Sequence, residues 1–188
     1  MRLVVAMTGA SGAAFGVRLV ERLHELPDVE VHLVVSRWAC ETLLETGGCS
    51  LPQLTALADA VYDNDSLKAP ISSGSFKYDG MAVVPCSMKT LAATANGLAD
   101  NLITRVADVC IKEHRKLVLA VRETPLSAIH LENMLKLARL GVTIMPPVPA
   151  LYHRHCTIES VIDGFVGRIM DQFGIENSLY RPWTGEII

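Results

Sequence analysis

Short apolar runs alternate along the chain with longer segments in which apolar residues recur every three or four positions. The short runs are rich in Val, Ile and Leu and predict buried β-strands, whereas the longer segments predict amphipathic helices. The predicted strands are Arg2–Met7, Glu30–Val35, Met81–Val84, Lys116–Val121 and Val142–Met145. The predicted helices are Ser11–Leu26, Arg37 to about Glu45, Leu51–Ala60, Met88–Asn96, Asp100–His114, Leu126–Leu140 and Thr157–Phe173.

The order of these elements predicts the fold class. Strands that are apolar throughout are covered on both faces, and strands separated by helices pair in parallel. No internal repeat, linker or low-complexity tract divides the sequence. We therefore expect a single α/β domain over residues 1–188, doubly wound and Rossmann-like (flavodoxin-like), with a parallel sheet.

Composition and charge exclude several classes of protein. Half of the 188 residues are hydrophobic and 20% are charged, which suits one domain with a sizeable core. The net charge of −3 argues against a nucleic-acid partner, and no apolar run approaches the ~18 residues of a membrane span. The five cysteines form no CxxC pair and the histidines show no metal-binding spacing, so we expect a cytoplasmic protein without a metal.

The candidate functional residues are those that directly follow the predicted strands, because open parallel sheets bind ligands beyond the carboxyl ends of their strands. Small and hydroxylated residues follow the first three of these strands, at Thr8–Gly12, Ser36 and Pro85–Thr90. Arg122 and Glu123 follow the fourth strand. This convergence predicts a binding site at one edge of the sheet.

The glycine-rich segment Gly9-x-x-Gly12-x-x-x-Gly16 matches neither the dinucleotide nor the nucleoside-triphosphate motif. Its backbone N–H groups at a helix start could bind a phosphate. A tight turn capped by Ser11 is the alternative.

The residues at two further strand ends could likewise either bind a ligand or have a structural role. Ser87 and Thr90 could hold the phosphate and ribityl hydroxyls of a mononucleotide, or simply cap a helix. Arg122 could contact a phosphate in bidentate fashion, or form an ion pair with Glu123 or Asp108.

Charged residues on the predicted helices are also candidates. Arg105 and Lys112 are seven residues apart, hence on one helix face, and such a pair usually indicates a solvated face. Arg168 shares a face with Phe165, and we expect it to have a buried partner, either phosphate or carboxylate. The carboxylates Glu123 and Glu45 could transfer protons. Cys86 is interpreted as a small buried filler.

Six stretches, in order and spread over nearly the whole chain, resemble the UbiX-type flavin prenyltransferases. The resemblance extends to the B subunits of non-oxidative hydroxyarylic (phenolic) acid decarboxylases. The matching stretches are MTGASGAAFGVRL (7–19), SSGSF (72–76), PCSMKTLAA (85–93), DNLITRVADVCIKE (100–113), VRETPLSAIHLENMLKL (121–137) and MPPVPALYH (145–153).

The resemblance implies transfer of a dimethylallyl group from dimethylallyl monophosphate to N5 and C6 of reduced FMN, without a metal. The product, prenylated FMN, would serve a UbiD-type decarboxylase. The family also implies a homododecamer whose sites are shared between subunits. The resemblance also implies that the donor is a monophosphate and not a diphosphate.

Site residues carry over from the family by position. The implied FMN contacts are Gly9, Ala10, Ser11, Ser36, Ser87, Met88, Lys89, Thr90 and Arg122. Tyr152 and Arg168, assisted by Lys112, would bind the donor phosphate, and Glu123 would be the acid/base residue. Arg105 would support a subunit junction, and Trp183 would be an aromatic wall.

Two positions depart from the family pattern. The family places a Glu ten residues after the serine that matches Ser36, where this chain has Thr46 beside Glu45. Either residue could fill the role. His155 stands where a proline is common. The alternatives to prenyl transfer are a non-catalytic FMN-binding subunit of an aromatic acid decarboxylase and an FMN-dependent cysteine-type decarboxylase, although the latter is expected to carry a PxMNxxMW-like motif.

Overall fold

The computed structural model describes residues 1–151 and 157–185, in which six parallel strands form one sheet. The strands are β1 (Arg2–Met7), β2 (Glu30–Val35), β3 (Ala60–Asp63), β4 (Gly80–Cys86), β5 (Lys116–Val121) and β6 (Thr143–Ile144). The helices are α1 (Ala13–His24), α2 (Arg37–Gly47), α3 (Leu51–Thr55), α4 (Met88–Ala95), α5 (Leu102–Lys112), α6 (Ala128–Arg139) and α7 (Ile158–Gln172), with a short 3-10 turn at Pro70–Ser72. None of these helices is long and apolar enough to cross a membrane.

Helices cover both faces of the sheet, which confirms the predicted doubly wound α/β class. Successive side chains of a strand point to opposite faces. On one face, Leu3, Val5 and Met7 of β1 pack in a core with α1, α2 and α7. On the other face, Val4 and Ala6 pack in a second core with α4 and α5.

The predicted and observed elements differ mainly at β3. Residues 51–60 were expected to be helical, but the helix ends at Thr55 and Ala60 begins an edge strand. The strand was missed because its residues are alternately half-buried and exposed, so it lacks a buried run. β4 continues past the predicted end at Val84 through Pro85, with an irregular register against β5.

The strand order is β3-β2-β1-β4-β5-β6, so the connections reverse direction between β1 and β4. In doubly wound sheets such a reversal opens a crevice beyond the carboxyl ends of the two central strands. The topology therefore predicts a ligand crevice between the loops that follow β1 and β4.

Gly16 of α1 packs directly on β4, and we expect Gly16→Ala to destabilise the fold. A Cβ at this position would collide with the backbone oxygen of Val84 and lie 2.8 Å from Cε of Met7. Because the backbone of a central strand cannot move aside, we expect the free energy of unfolding to fall by about 1–3 kcal/mol in urea titrations.

Gly164→Ala in α7 is the matched control for this substitution. A Cβ there would meet only Cβ of Tyr180, at 3.9 Å. Alanine in a helix interior should then be neutral or stabilise by roughly 0.5–1 kcal/mol. An equal loss of stability in both variants would contradict the packing explanation.

Candidate active site

The loops that follow β1, β2, β4 and β5 meet at one edge of the sheet. The N–H of Ser36 donates to the oxygen of Met7 at 3.0 Å, and the N–H of Arg122 donates to the oxygen of Cys86 at 3.1 Å. Each loop is thus bonded to the end of a neighbouring strand. This rim carries ten of the predicted site residues: Gly9, Ala10, Ser11, Ser36, Ser87, Met88, Lys89, Thr90, Arg122 and Glu123.

The loop after β1 leaves the first turn of α1 open to a ligand. α1 is preceded by Gly12, whose φ of 100° favours glycine, and no side chain in the described part of the chain caps it. Ser11 is exposed and does not cap the helix, so the alternative of a Ser11-capped turn is wrong. Uncapped N–H groups at the positive end of a helix dipole suit a phosphate.

Thr8 joins the two central loops, a role that was not predicted although the residue begins the predicted Thr8–Gly12 segment. Its side chain is buried; the hydroxyl donates to the oxygen of Pro85 at 2.8 Å and accepts the N–H of Ser87 at 2.8 Å. These bonds fix the spacing of the crevice between β1 and β4. The only signal in the sequence was a threonine at a strand end.

Ser36 and Ser87 cap α2 and α4, so the N-capping alternative is correct for Ser87. Their hydroxyl oxygens accept the N–H groups of Ala39 and Thr90, at 3.3 and 3.4 Å. A capping hydroxyl still carries a proton of its own that it can donate. Capping and contact with a phosphate or ribityl oxygen are therefore compatible at both positions.

Arg122 and Glu123 are exposed at the end of β5. Asp108 is paired with Arg105 at 2.8 Å, and within residues 1–151 and 157–185 no carboxylate forms an ion pair with Arg122. The two ion-pair alternatives for Arg122 are therefore wrong for the described residues. A Glu123 carboxylate oxygen accepts the N–H of Thr124 at 3.0 Å.

Arg168 borders a cavity of about 340 Å³ between α7 and the loop after β6. Its described walls are mostly apolar and include Met145, Val148 and Phe165. Arg168 has the expected carboxylate partner, because it bonds to Asp171 at 3.3 Å, but the pair is not fully buried: the Arg168 side chain is 56% exposed and that of Asp171 is 31% exposed. A cation beside apolar walls suits a short apolar chain that ends in an anion.

Lys112 and Glu45 lie far from the rim of their own chain. Glu45 is nine residues beyond Ser36 along α2, about 13 Å at 1.5 Å per residue. Lys112 ends α5, four residues before β5 begins at the opposite edge of the sheet, and it pairs with Glu113 at 2.7 Å. Within a single chain, Lys112 and Glu45 therefore do not lie close to Arg122.

Arg105 and Lys112 both lie against the 72–76 segment. Arg105 donates to the oxygen of Ser72 at 3.1 Å, and Nζ of Lys112 lies 3.0 Å from where a Cβ of Gly74 would be. Arg105 is therefore packed against this loop, whereas Lys112 at the end of α5 is exposed, as the solvated-face alternative expects. Trp183 is 53% exposed in the C-terminal segment, while Tyr152 and His155 lie outside the described residues.

Cys86 does not have the environment of a nucleophile, although it ends β4 at the rim. It is fully buried, and burial raises the pKa of its thiol to about 12. The thiol therefore stays protonated at neutral pH and packs as the predicted filler. The described residues contain no group of three His, Cys, Asp or Glu side chains that could hold a metal ion.

Comparison with known proteins agrees with this geometry. Residues 1–170 match the Flavoprotein family. A probable UbiX-like flavin prenyltransferase of Streptomyces sp. (strain D7) is 55% identical over 185 residues, which cover 98% of this chain and 92% of that protein. The chain belongs to the UbiX-like flavin prenyltransferases. This confirms the resemblance identified from the six sequence stretches.

Two solved structures of this family match nearly the whole chain. A dodecameric FMN-dependent UbiX-like decarboxylase from Escherichia coli O157:H7 is 51% identical, with a TM-score of 0.96 over 98% of this chain and 100% of that chain. AnUbiX (PadA1), in complex with FMN and dimethylallyl pyrophosphate, is also 51% identical, with a TM-score of 0.95 over 98% of this chain and 97% of that chain.

Proposed function

We propose that this chain transfers a dimethylallyl group from dimethylallyl monophosphate to N5 and C6 of reduced FMN, giving prenylated FMN and phosphate. The main support is the 51% identity, over 98% of the chain, to AnUbiX in complex with FMN and dimethylallyl pyrophosphate. The open rim beyond β1 and β4 supplies a matching place for a phosphate-bearing ligand.

The rim residues fit FMN. The uncapped first turn of α1 offers N–H groups for the phosphate. Gly9 lets this loop approach α2, because a Cβ there would lie 2.5 Å from Cβ of Trp38. The capping hydroxyls of Ser36 and Ser87 can donate to further oxygens, and Arg122 can bind an anion in bidentate fashion.

The chemistry requires both a phosphate site and a proton-transfer group. The C–O bond of the donor breaks and the phosphate leaves with the electron pair. Bonds then form at N5 and C6, each of which loses a proton, while the alkene of the donor gains one. Arg168, Tyr152 and Lys112 would stabilise the leaving phosphate, and Glu123 would move a proton near N5.

A shared site follows from the positions of Lys112 and Glu45. Both residues lie far from the rim of their own chain, so the Lys112 and Glu45 that reach a given rim would have to belong to a second copy of the chain. α6 and the residue that follows it present an apolar surface suited to such contacts, because Ile129, Leu131, Leu135 and Leu140 are each more than half exposed. We therefore propose a homo-oligomer with composite sites, and the related dodecamer from E. coli supports a dodecamer.

The product would pass to a UbiD-type decarboxylase. The alternative of a non-catalytic FMN-binding subunit does not explain a second, cationic cavity at Arg168, because binding FMN alone does not need one. The cysteine-type decarboxylase is disfavoured by PCSMKTLA at the end of β4, where a PxMNxxMW-like motif would be expected.

Anaerobic incubation of the purified protein with reduced FMN and dimethylallyl monophosphate tests this function. Mass spectrometry should find a flavin that has gained one C5H8 unit, absent when the protein is omitted. A parallel reaction with the pyrophosphate donor tests the donor preference. Bound but unmodified FMN with both donors would overturn the transferase and favour the non-catalytic subunit.

Arg122→Ala should weaken FMN binding by about tenfold to a hundredfold, because a charge-assisted hydrogen bond to phosphate contributes about 1.5–3 kcal/mol. Fluorescence titration with FMN measures this. Arg139→Ala, which removes an exposed arginine from the far end of α6, should leave the affinity unchanged. Equal affinities in the two variants would contradict the FMN contact.

A further inference from the structure

Arg168 is held in place by the segment that follows α7. Its Nη1 lies 3.2 Å from the hydroxyl of Tyr180 and 3.3 Å from a carboxylate oxygen of Asp171. The guanidinium carbon also lies 5.8 Å from the centre of the Tyr180 ring. Two different groups therefore restrict the orientation of this guanidinium.

The directions of the bonds follow from the chemistry of the partners. The Tyr180 hydroxyl lies 2.6 Å from Asp171, a distance typical of a charge-assisted bond in which the hydroxyl donates to the carboxylate. The phenol oxygen can then accept from Arg168, which is a donor only. The other oxygen of Asp171 accepts the side-chain N–H of Asn177 at 3.0 Å. Both oxygens of Asp171 are thus held by residues of the same short segment.

This segment is seated on α7 because the helix has a glycine at the contact. The side-chain amide of Asn177 donates to the oxygen of Gly167 at 3.2 Å. A Cβ on Gly167 would lie 2.6 Å from Oδ1 of Asn177 and 2.8 Å from Cδ1 of Tyr180. Any larger residue at Gly167 would push the segment away from the helix.

Resting on the proposed function, we propose that residues 177–180 form a clip that orients Arg168 towards the phosphate of the prenyl donor. Tyr180 is then a positioning residue for the donor. A free arginine side chain has about 2 kcal/mol of rotamer entropy to lose on binding. Holding Nη1 in advance reduces the entropy that Arg168 loses when the donor phosphate binds.

The cavity beside Arg168 supports this role. Tyr180 and Arg168 line the same 340 Å³ space, together with the apolar Val161 and Phe165. The clip therefore lies at the side of the cavity where the phosphate of the donor would contact the Arg168 guanidinium. The class of ligand that fits is the phosphate ester of a short apolar chain.

Tyr180→Phe tests the clip because it keeps the ring and removes only the hydroxyl. Losing the bond between the Tyr180 hydroxyl and Arg168 should raise the KM for dimethylallyl monophosphate and its calorimetric Kd by about threefold to tenfold. We expect kcat within about twofold of the unsubstituted enzyme, and unchanged FMN affinity, because the substitution affects donor binding only through the position of Arg168. Tyr62→Phe is the control: it removes a hydroxyl that lies 2.8 Å from His32 on the far edge of the sheet.

Repeating the Tyr180→Phe substitution in an Arg168→Ala protein shows whether Tyr180 positions Arg168 or contacts the donor directly. There Tyr180→Phe should have no further effect on donor binding, since the group it positions is gone. An additive loss, or a lower Tm with unchanged donor affinity, would overturn the clip. If the unsubstituted protein bound the donor and formed no prenylated flavin, the proposed function would fail while the Kd comparison still tested the clip. No donor binding at all would overturn both.

Discussion

Glu123→Gln should lower kcat for prenylated FMN formation by about 10²- to 10⁴-fold, the usual contribution of a positioned acid/base group. Glu123 follows β5 directly after Arg122 and is exposed on the rim. Glutamine preserves the size and hydrogen-bonding reach of the side chain but cannot take up a proton at neutral pH. The affinities for FMN and for the donor should therefore stay within about twofold.

Single-turnover kinetics with bound reduced FMN would separate this loss from binding. Glu25→Gln, an exposed carboxylate that follows α1 at the opposite edge of the sheet, is the control and should react at the normal rate. A Glu123→Gln enzyme with undiminished kcat would disprove the acid/base assignment. A large loss of FMN affinity would instead give Glu123 a binding role.

The sequence predicted the central strands well because their burial is nearly continuous. Arg2–Met7, Glu30–Val35 and Lys116–Val121 have the observed bounds, since each is an apolar run that ends at a polar residue. The edge strand Ala60–Asp63 offered no such run. Continuous burial is therefore the property that made a strand predictable here.

The rim was predictable for a related reason. Residues that directly follow buried parallel strands must reach the same edge, so Ser36, Ser87 and Arg122 could be grouped before any contact was known. Contacts between loops were not predictable: the bridge made by Thr8 and the clip made by Tyr180 depend on tertiary distances that no local pattern encodes.

The positions of Lys112 and Glu45 could have been anticipated from topology. A helix that connects parallel strands runs back from the carboxyl edge to the amino edge of the sheet. Residues late in such a helix therefore lie away from the site that its first turn serves. Glu45 in α2 and Lys112 in α5 both satisfy this condition.

This topology also constrains which chain can supply each group. Lys112 and Glu123 flank β5, whose six residues alone span about 20 Å at 3.3 Å per residue. No rearrangement of side chains closes such a gap across an intact strand. If both residues serve one reaction, Lys112 must come from a different copy of the chain than Glu123.

Co-expression of Lys112→Ala and Glu123→Gln chains should therefore restore activity above that of either variant alone. With random assembly, roughly one quarter of the composite sites would combine an intact Lys112 from one chain with an intact Glu123 from its neighbour. Different affinity tags on the two chains allow mixed oligomers to be purified and their turnover compared with that of each pure variant.

Co-expressed Arg122→Ala and Glu123→Gln chains are the control for this recovery. Both residues lie on the rim of one chain, one position apart, so no mixed site would have both intact and activity should not exceed the average of the two pure variants. Recovery in the control as well would mean that the rim itself is divided between chains. Absence of recovery in the Lys112 and Glu123 mixture would remove Lys112 from the site, leaving Arg168 and Tyr152 as the proposed phosphate ligands.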